Sequence, residues 1–198
     1  MWKKLLILSL CIAVLFVFSA PISSVNAGGS FPIYWRIAGT IAQSIQVFDP
    51  GNPYGDPIGP HSLINLTARG WPGPANITLL SMTSGPDEGV CQECENEGYY
   101  HLQVHFIKND MVVMFPDQSL LFGHIVDPEK SFLCFNFEKG TYFKVYMKVT
   151  GGTGKFKKVS DGDLIGEGHG YFIKPFVSDN TLVGENGIIK GSIKFSNE

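Results

Sequence analysis

Glu167 and His169 set a carboxylate and an imidazole two residues apart, with Tyr171 two further on. Residues at i and i+2 of a strand share one face, so the three side chains project together. A carboxylate beside an imidazole serves as a general acid/base pair or orients a ligand, and a phenol adds a further proton donor. Such work needs the face to line a cavity. If that face, which also carries Ile165, meets solvent instead, the same three are ordinary surface groups. Gly166, Gly168 and Gly170 occupy the other face, where their lack of side chains allows curvature or close approach of another element.

The second chemical feature is sulfur. Cys91-Gln92-Glu93-Cys94 is a C-x-x-C pair, and Cys134 is a third cysteine. Redox pairs of this spacing sit where a helix N-terminus lowers a thiol pKa, whereas this one lies among Asp87, Glu88, Glu93, Glu95 and Glu97. A structural disulfide is the expectation, either within the segment or from it to Cys134. Cys91, Cys94, His101 and His105 also imitate a zinc spacing. On one strand the two histidines lie about 13 Å apart, too far to share a metal bound at about 2 Å. At most one of them can join the cysteines, with Cys134 or Glu97 completing a shell. The acids lack the alternation of a calcium loop. No metal site is expected.

Other motifs carry less chemistry. Thr150-Gly151-Gly152-Thr153-Gly154-Lys155-Phe156 lacks the four-residue gap and the Ser/Thr of a phosphate-binding loop, and the stretch from Leu164 onward reads as strand rather than helix. There is no G-x-S-x-G elbow, and His61, His101, His105, His124 and His169 are scattered. Asn65-Leu66-Thr67 and Asn76-Ile77-Thr78 are glycosylation sequons that matter only in a glycosylating host.

The elements that position these groups read as strands. In Thr141–Thr150, Phe143, Val145, Met147 and Val149 alternate with Tyr142, Lys144, Tyr146 and Lys148, the period of two of a half-buried strand. Similar stretches run over Tyr34–Ile41, Leu63–Arg69, Asn76–Met82, Ser119–Val126, Ser131–Phe137, Leu164–Phe172 and Ile188–Phe195. His101–Ile107 and Met111–Phe115 read as a hairpin turning at Lys108-Asn109-Asp110. The 23 glycines and 12 prolines punctuate these runs, and no 3.6-residue period stands out. The fold class is therefore all-β, a single antiparallel β-barrel of about eight strands. Two long loops, Asp49–His61 and Ser84–Gly98, are either lids over its mouth or idle surface.

Val149-Thr150-Gly151-Gly152-Thr153-Gly154-Lys155-Phe156, with Gly162 six residues on and a strand after it, resembles the strand–turn–strand signature of the allene oxide cyclase and dirigent families. Lys157-Lys158-Val159-Ser160 is more basic than that signature, and the acidic cysteine segment lies outside it. The resemblance implies an eight-stranded barrel with an apolar cavity, lipophilic or phenolic ligands and no cofactor. Some members of those families steer a cyclisation or coupling. Gly151, Gly152 and Gly154 would form the tight turn, with Phe156 closing the barrel end as core.

The N-terminus speaks for export. Met1-Trp2-Lys3-Lys4 is a basic start, Leu5–Phe18 is apolar apart from Ser9, and Val25-Asn26-Ala27 fits a cleavage site. Cys11 follows Leu10, where a lipidated cysteine would follow a small residue. Residues 1–27 are thus expected to be a signal peptide and 28–198 one secreted or periplasmic domain. Losing Lys3 and Lys4 moves the formal charge from −3 to −5. There is no basic patch to attract nucleic acid or an anionic membrane, and no second run long enough to span a bilayer. Nothing in the sequence fixes an oligomeric state. The functional expectation is a lumen binding a small apolar or aromatic molecule. The alternatives are a cofactor-free cyclase or isomerase in the same cavity using Glu167, His169 and Tyr171, and a structural or interaction protein with a filled core.

Overall fold

Alternating inward and outward side chains build nine strands in the computed structural model, which describes residues 29–44, 61–84, 89–173 and 180–196. They are β1 (Ser30–Ser44), β2 (His61–Trp71), β3 (Ala75–Thr83), β4 (Leu102–Met114), β5 (Leu120–Val126), β6 (Phe132–Asn136), β7 (Gly140–Gly152), β8 (Val159–Phe172) and β9 (Asn180–Phe195). The proposed signal peptide lies outside the described residues, as does the first long loop up to Pro60. The second long loop contains a short helix, α1 (Gln92–Asn96), that no periodicity announced.

Every strand pairing is antiparallel. The hydrogen bonding closes on itself through eight strands in the order β1-β2-β3-β4-β5-β7-β8-β9 and back to β1. The ninth, β6, shares one position of the ring with β5. β5 pairs with the C-terminal halves of β4 and β7, and β6 pairs with their N-terminal halves.

This shared position corrects the expected hairpin at Lys108-Asn109-Asp110. The chain does not turn there, and β4 runs through from Leu102 to Met114. Where β5 gives way to β6, Asn109 and Ser131 supply partners for backbone groups of β4, β5 and β7. Asn109 is buried, and its Oδ1 accepts the Ile125 N–H. Ser131 Oγ donates to the Val126 carbonyl (2.7 Å) and accepts the Tyr146 N–H (3.0 Å), while its carbonyl accepts the Phe106 N–H (2.9 Å). The polar triplet of turn-like composition is a splice in a continuous strand.

Inside the ring one apolar cluster draws on Ile33, Trp35, Ile37, Ile77, Val113 and Ile193, among others. Its density differs between the two ends. At the end holding the β7–β8 connection, Phe115 packs between Trp35 and Phe156, with ring centroids 6.0 and 4.6 Å away. Trp35 Nε1 donates to the Gly73 carbonyl at 2.9 Å, so its polar edge is satisfied as burial requires. The glycine-rich turn continues into a single 3-10 turn, Gly154–Phe156, with Gly154 at φ 59° and Phe156 buried. Ser119 Oγ accepts the Lys155 N–H at 3.1 Å and ties this turn to the β4–β5 connection.

On β8 the glycines face inward. Gly166, Gly168 and Gly170 are buried, while Glu167 is half-buried and His169 and Tyr171 are exposed. A Cβ on Gly168 would overlap the carbonyl oxygen of Asn186 on β9, so the missing side chain permits the approach of the two backbones. Gly168→Ala should therefore cost about 1–3 kcal/mol in denaturant unfolding. Gly89→Ala, where a Cβ meets nothing within 4 Å, should stay within about 0.5 kcal/mol of the parent.

Candidate functional site

Away from the aromatic plug, the interior keeps a cavity of about 30 Å³. That is room for a water-sized group. Ile37, Ile41, Leu66, Phe106, Val145 and Met147 are among its walls, and among the described residues lining it Glu185 is the one ionisable group. This half of the ring leads to the end where β1 stops at Ser44, β2 begins at His61 and β9 begins at Asn180.

Glu185 faces inward because it keeps step with Val183, Ile189 and Ile193, which are all buried. It pairs with Gly39 on β1 and Gly170 on β8. A Cβ on Gly170 would overlap both the Glu185 carboxyl and Thr141 Oγ1, so glycine opens the space that the carboxyl fills. Thr141 Oγ1 donates to Glu185 Oε1 at 2.8 Å. Oε2 is buried with no hydrogen-bond partner among the described residues. Glu185 is only 3% exposed. Burial pushes its carboxyl up to about 8, against the opposing effect of the Thr141 hydrogen bond. At neutral pH the group is thus a neutral acid, and a proton on Oε2 has no acceptor.

Two serines add polarity to the same face. Ser62 and Ser81 lie opposite each other on β2 and β3, both buried. Ser81 Oγ also has no hydrogen-bond partner among the described residues. An unpartnered buried polar atom costs about 1–3 kcal/mol, so Glu185 Oε2 and Ser81 Oγ mark places where the fold forgoes stability. A much wider groove, about 790 Å³, opens near the plugged end beside Arg69, Asn76, Met114 and Gln118. Neither of those orphaned atoms lines it.

The three residues singled out from sequence stand elsewhere. Glu167, His169 and Tyr171 occupy the outer face of β8, so they do not supply the polar groups of the lumen. The reason is steric: Val145, Met147 and Glu185 fill the space inside, and only the glycine face fits against them. Outside, His169 lies at the margin of a second cluster that holds Tyr99, Tyr142, Cys94 and Cys134. Its Nδ1 lies 3.2 Å from the Tyr99 hydroxyl, and its ring packs against Tyr99 and Tyr142 at 5.8 and 5.2 Å. Burial, and then the charges of Glu93, Glu167 and Glu97, raise the Tyr142 pKa above its ordinary value. Lys144 holds Glu93 of α1 at 2.5 Å. A disulfide joins Cys94 to Cys134 on β6 and fastens the helix to the sheet.

The chain matches no protein-family model, no curated protein and no solved structure. Cys91, Cys94 and Cys134 are the group of potential metal ligands brought together among the described residues, their sulfurs within 4.8 Å of one another. The histidines of the zinc-like spacing are engaged elsewhere. His101 Nδ1 accepts the Phe137 N–H at 2.9 Å, and His105 meets Pro128 and Gln103 at 2.6 and 3.0 Å.

Sequence reasoning misses Glu185 because Asn180–Gly187, with its Asn, Gly and Glu, reads as loop. Extending the alternation of Ile189 and Ile193 backwards through Gly187 places it inside.

The carboxyl predicts a pH dependence of stability. Folded, it keeps its proton to about pH 8, whereas its ordinary pKa is 4.5. The folded state then binds more protons across that window, so stability is fully present below about 4.5 and is lost progressively up to about 8. In denaturant titrations Glu185→Gln should remove that slope and gain on the parent by on the order of a few kcal/mol between pH 5 and 9. Parallel pH profiles for the two proteins would contradict the assignment.

Proposed function

We propose that the eight-strand ring is a barrel of the kind the turn signature resembles, exported from the cell, whose lumen binds a small lipophilic molecule carrying one hydrogen-bond acceptor. The observation that carries this reading is the buried Glu185 carboxyl in an apolar cavity, its Oε2 without a hydrogen-bond partner among the described residues, where burial raises its pKa and favours the neutral acid. Apolar walls with few, fixed polar groups are the usual composition of small-molecule sites. The ligand class rests on the chemistry: a neutral acid donates to a carbonyl, ether or hydroxyl oxygen and gives no charge to attract an anion. A cavity of about 30 Å³ admits one functional group. The carbonyl would reach Glu185, and the apolar remainder would lie towards the end of the ring marked by Ser44, His61 and Asn180.

The same carboxyl supports a second reading, a cofactor-free isomerase or cyclase. A carboxylic acid with a pKa near 8 gives and takes a proton near neutral pH, as a general acid must. In that reading Glu185 replaces Glu167, His169 and Tyr171 as the proton donor.

Calorimetry with medium-chain methyl ketones and the matching alkanes tests the binding. The parent should prefer ketone over alkane by about tenfold, the worth of one hydrogen bond. Glu185→Leu should lose that preference while still taking the alkane. Ketone affinity should fall as pH rises through about 8. Absence of saturable binding across the series, or equal affinity for ketone and alkane in the parent, would reject the reading.

A further inference from the structure

The cysteine cluster lies on the outer face of the ring, on the β6 side of α1, and has no part in the lumen. Cys94 and Cys134 share a disulfide and are both 0% exposed. Cys91 is a free thiol, partly exposed, with its Sγ 3.2 Å from Cys94 Sγ. Gln103 on β4 holds this arrangement. Its Oε1 accepts the Cys91 N–H at 2.6 Å and lies 3.5 Å from Cys94 Sγ. Gln103 is itself buried, with its Nε2 3.0 Å from His105 Nε2.

A thiol held against one sulfur of a disulfide has the arrangement of thiol–disulfide exchange, in which a thiolate attacks one sulfur and expels the other. The geometry points to a three-cysteine relay in which the disulfide passes between Cys94–Cys134 and Cys91–Cys94. Cys91 loses its proton to solvent, and its sulfur forms a bond to Cys94 Sγ. The Cys94–Cys134 bond breaks, and Cys134 leaves as a thiolate that takes up a proton. One disulfide and one thiol stand on each side, so no external oxidant or reductant takes part. Forming the new bond, about 2.05 Å long, asks roughly 1 Å of movement from the sulfurs.

The two states differ in what they fasten. With Cys94–Cys134 joined, α1 is tied covalently to β6. With Cys91–Cys94 joined, the bond is internal to the segment, and α1 is held by the Glu93–Lys144 ion pair and by the contacts of Tyr99 with Tyr142 and His169. Cys91 is also the solvent's route to the buried pair. A reducing thiol reaches the disulfide only after the bond has moved onto the exposed sulfur.

Reduction of the native, oxidised protein by dithiothreitol tests this, followed by acid quench, alkylation in denaturant and peptide mapping. Cys91→Ser should be reduced at least tenfold more slowly than the parent. Peptide maps of the unreduced parent should contain both the Cys94–Cys134 and the Cys91–Cys94 linkage, and Cys134→Ser should collect in the latter. Equal reduction rates for parent and Cys91→Ser would overturn the relay. So would a Cys134→Ser protein that keeps Cys91 and Cys94 as free thiols under air. Three free thiols in the parent that take up zinc would assign the cluster to metal instead. If Cys134→Ser fails to fold, the parent's linkage map and the Cys91→Ser rate decide alone.

Discussion

The ladder between the first strand and the last is the interaction on which the rest depends. β1 and β9 pair from Ser30 opposite Lys194 to Ser44 opposite Asn180. Without it, β1–β2–β3 would be an edge of an open sheet, and the inner face would be wet on two sides. With it, the inward residues share one enclosed interior from which water is excluded. The contact is maximally non-local, and the loop-closure entropy it costs is met only when the whole interior forms. Glu185 is on β9 and pairs with Gly39 across this seam. The burial that pushes its carboxyl up to about 8 exists only because the ring is closed.

Closure also explains why the sequence is legible only in part. Thr141–Thr150 alternates cleanly because β7 has a dry side and a wet side, and Phe143, Val145, Met147 and Val149 do face the interior. Alternation identifies two faces without saying which is inside when both carry small or mixed residues. On β8 the choice lies between three glycines and Ile165, Glu167, His169 and Tyr171. Packing from β7 and β9 decides it, and that information is not local to β8. Lys108-Asn109-Asp110 misleads for a related reason. Its turn-like composition serves a β5–β6 splice whose partners, Ile125 and Ser131, lie far along the chain. Glu185 is hidden because a strand half made of Asn, Gly and Glu is held by its neighbours rather than by its own propensity.

The inner and outer clusters are two sides of one patch of sheet. Thr141, which holds Glu185, pairs with Gly170, and the next residues along, Tyr142 and His169, pair with each other. The first pair faces the lumen and the second lies on the outer face. Gly170 can leave room for a carboxyl only if the backbone around it is held in place, and a strand carrying Gly166, Gly168 and Gly170 has little side-chain packing of its own to do so. The Tyr99–Tyr142–His169 stack covers this stretch from outside, and the Glu93–Lys144 pair and the Cys94–Cys134 bond hold α1 to the neighbouring β7 and β6. The acidic cysteine segment, read from its composition as an idle loop or a lid, is thus fastened through α1 to the outside of the sheet whose inner face holds Glu185.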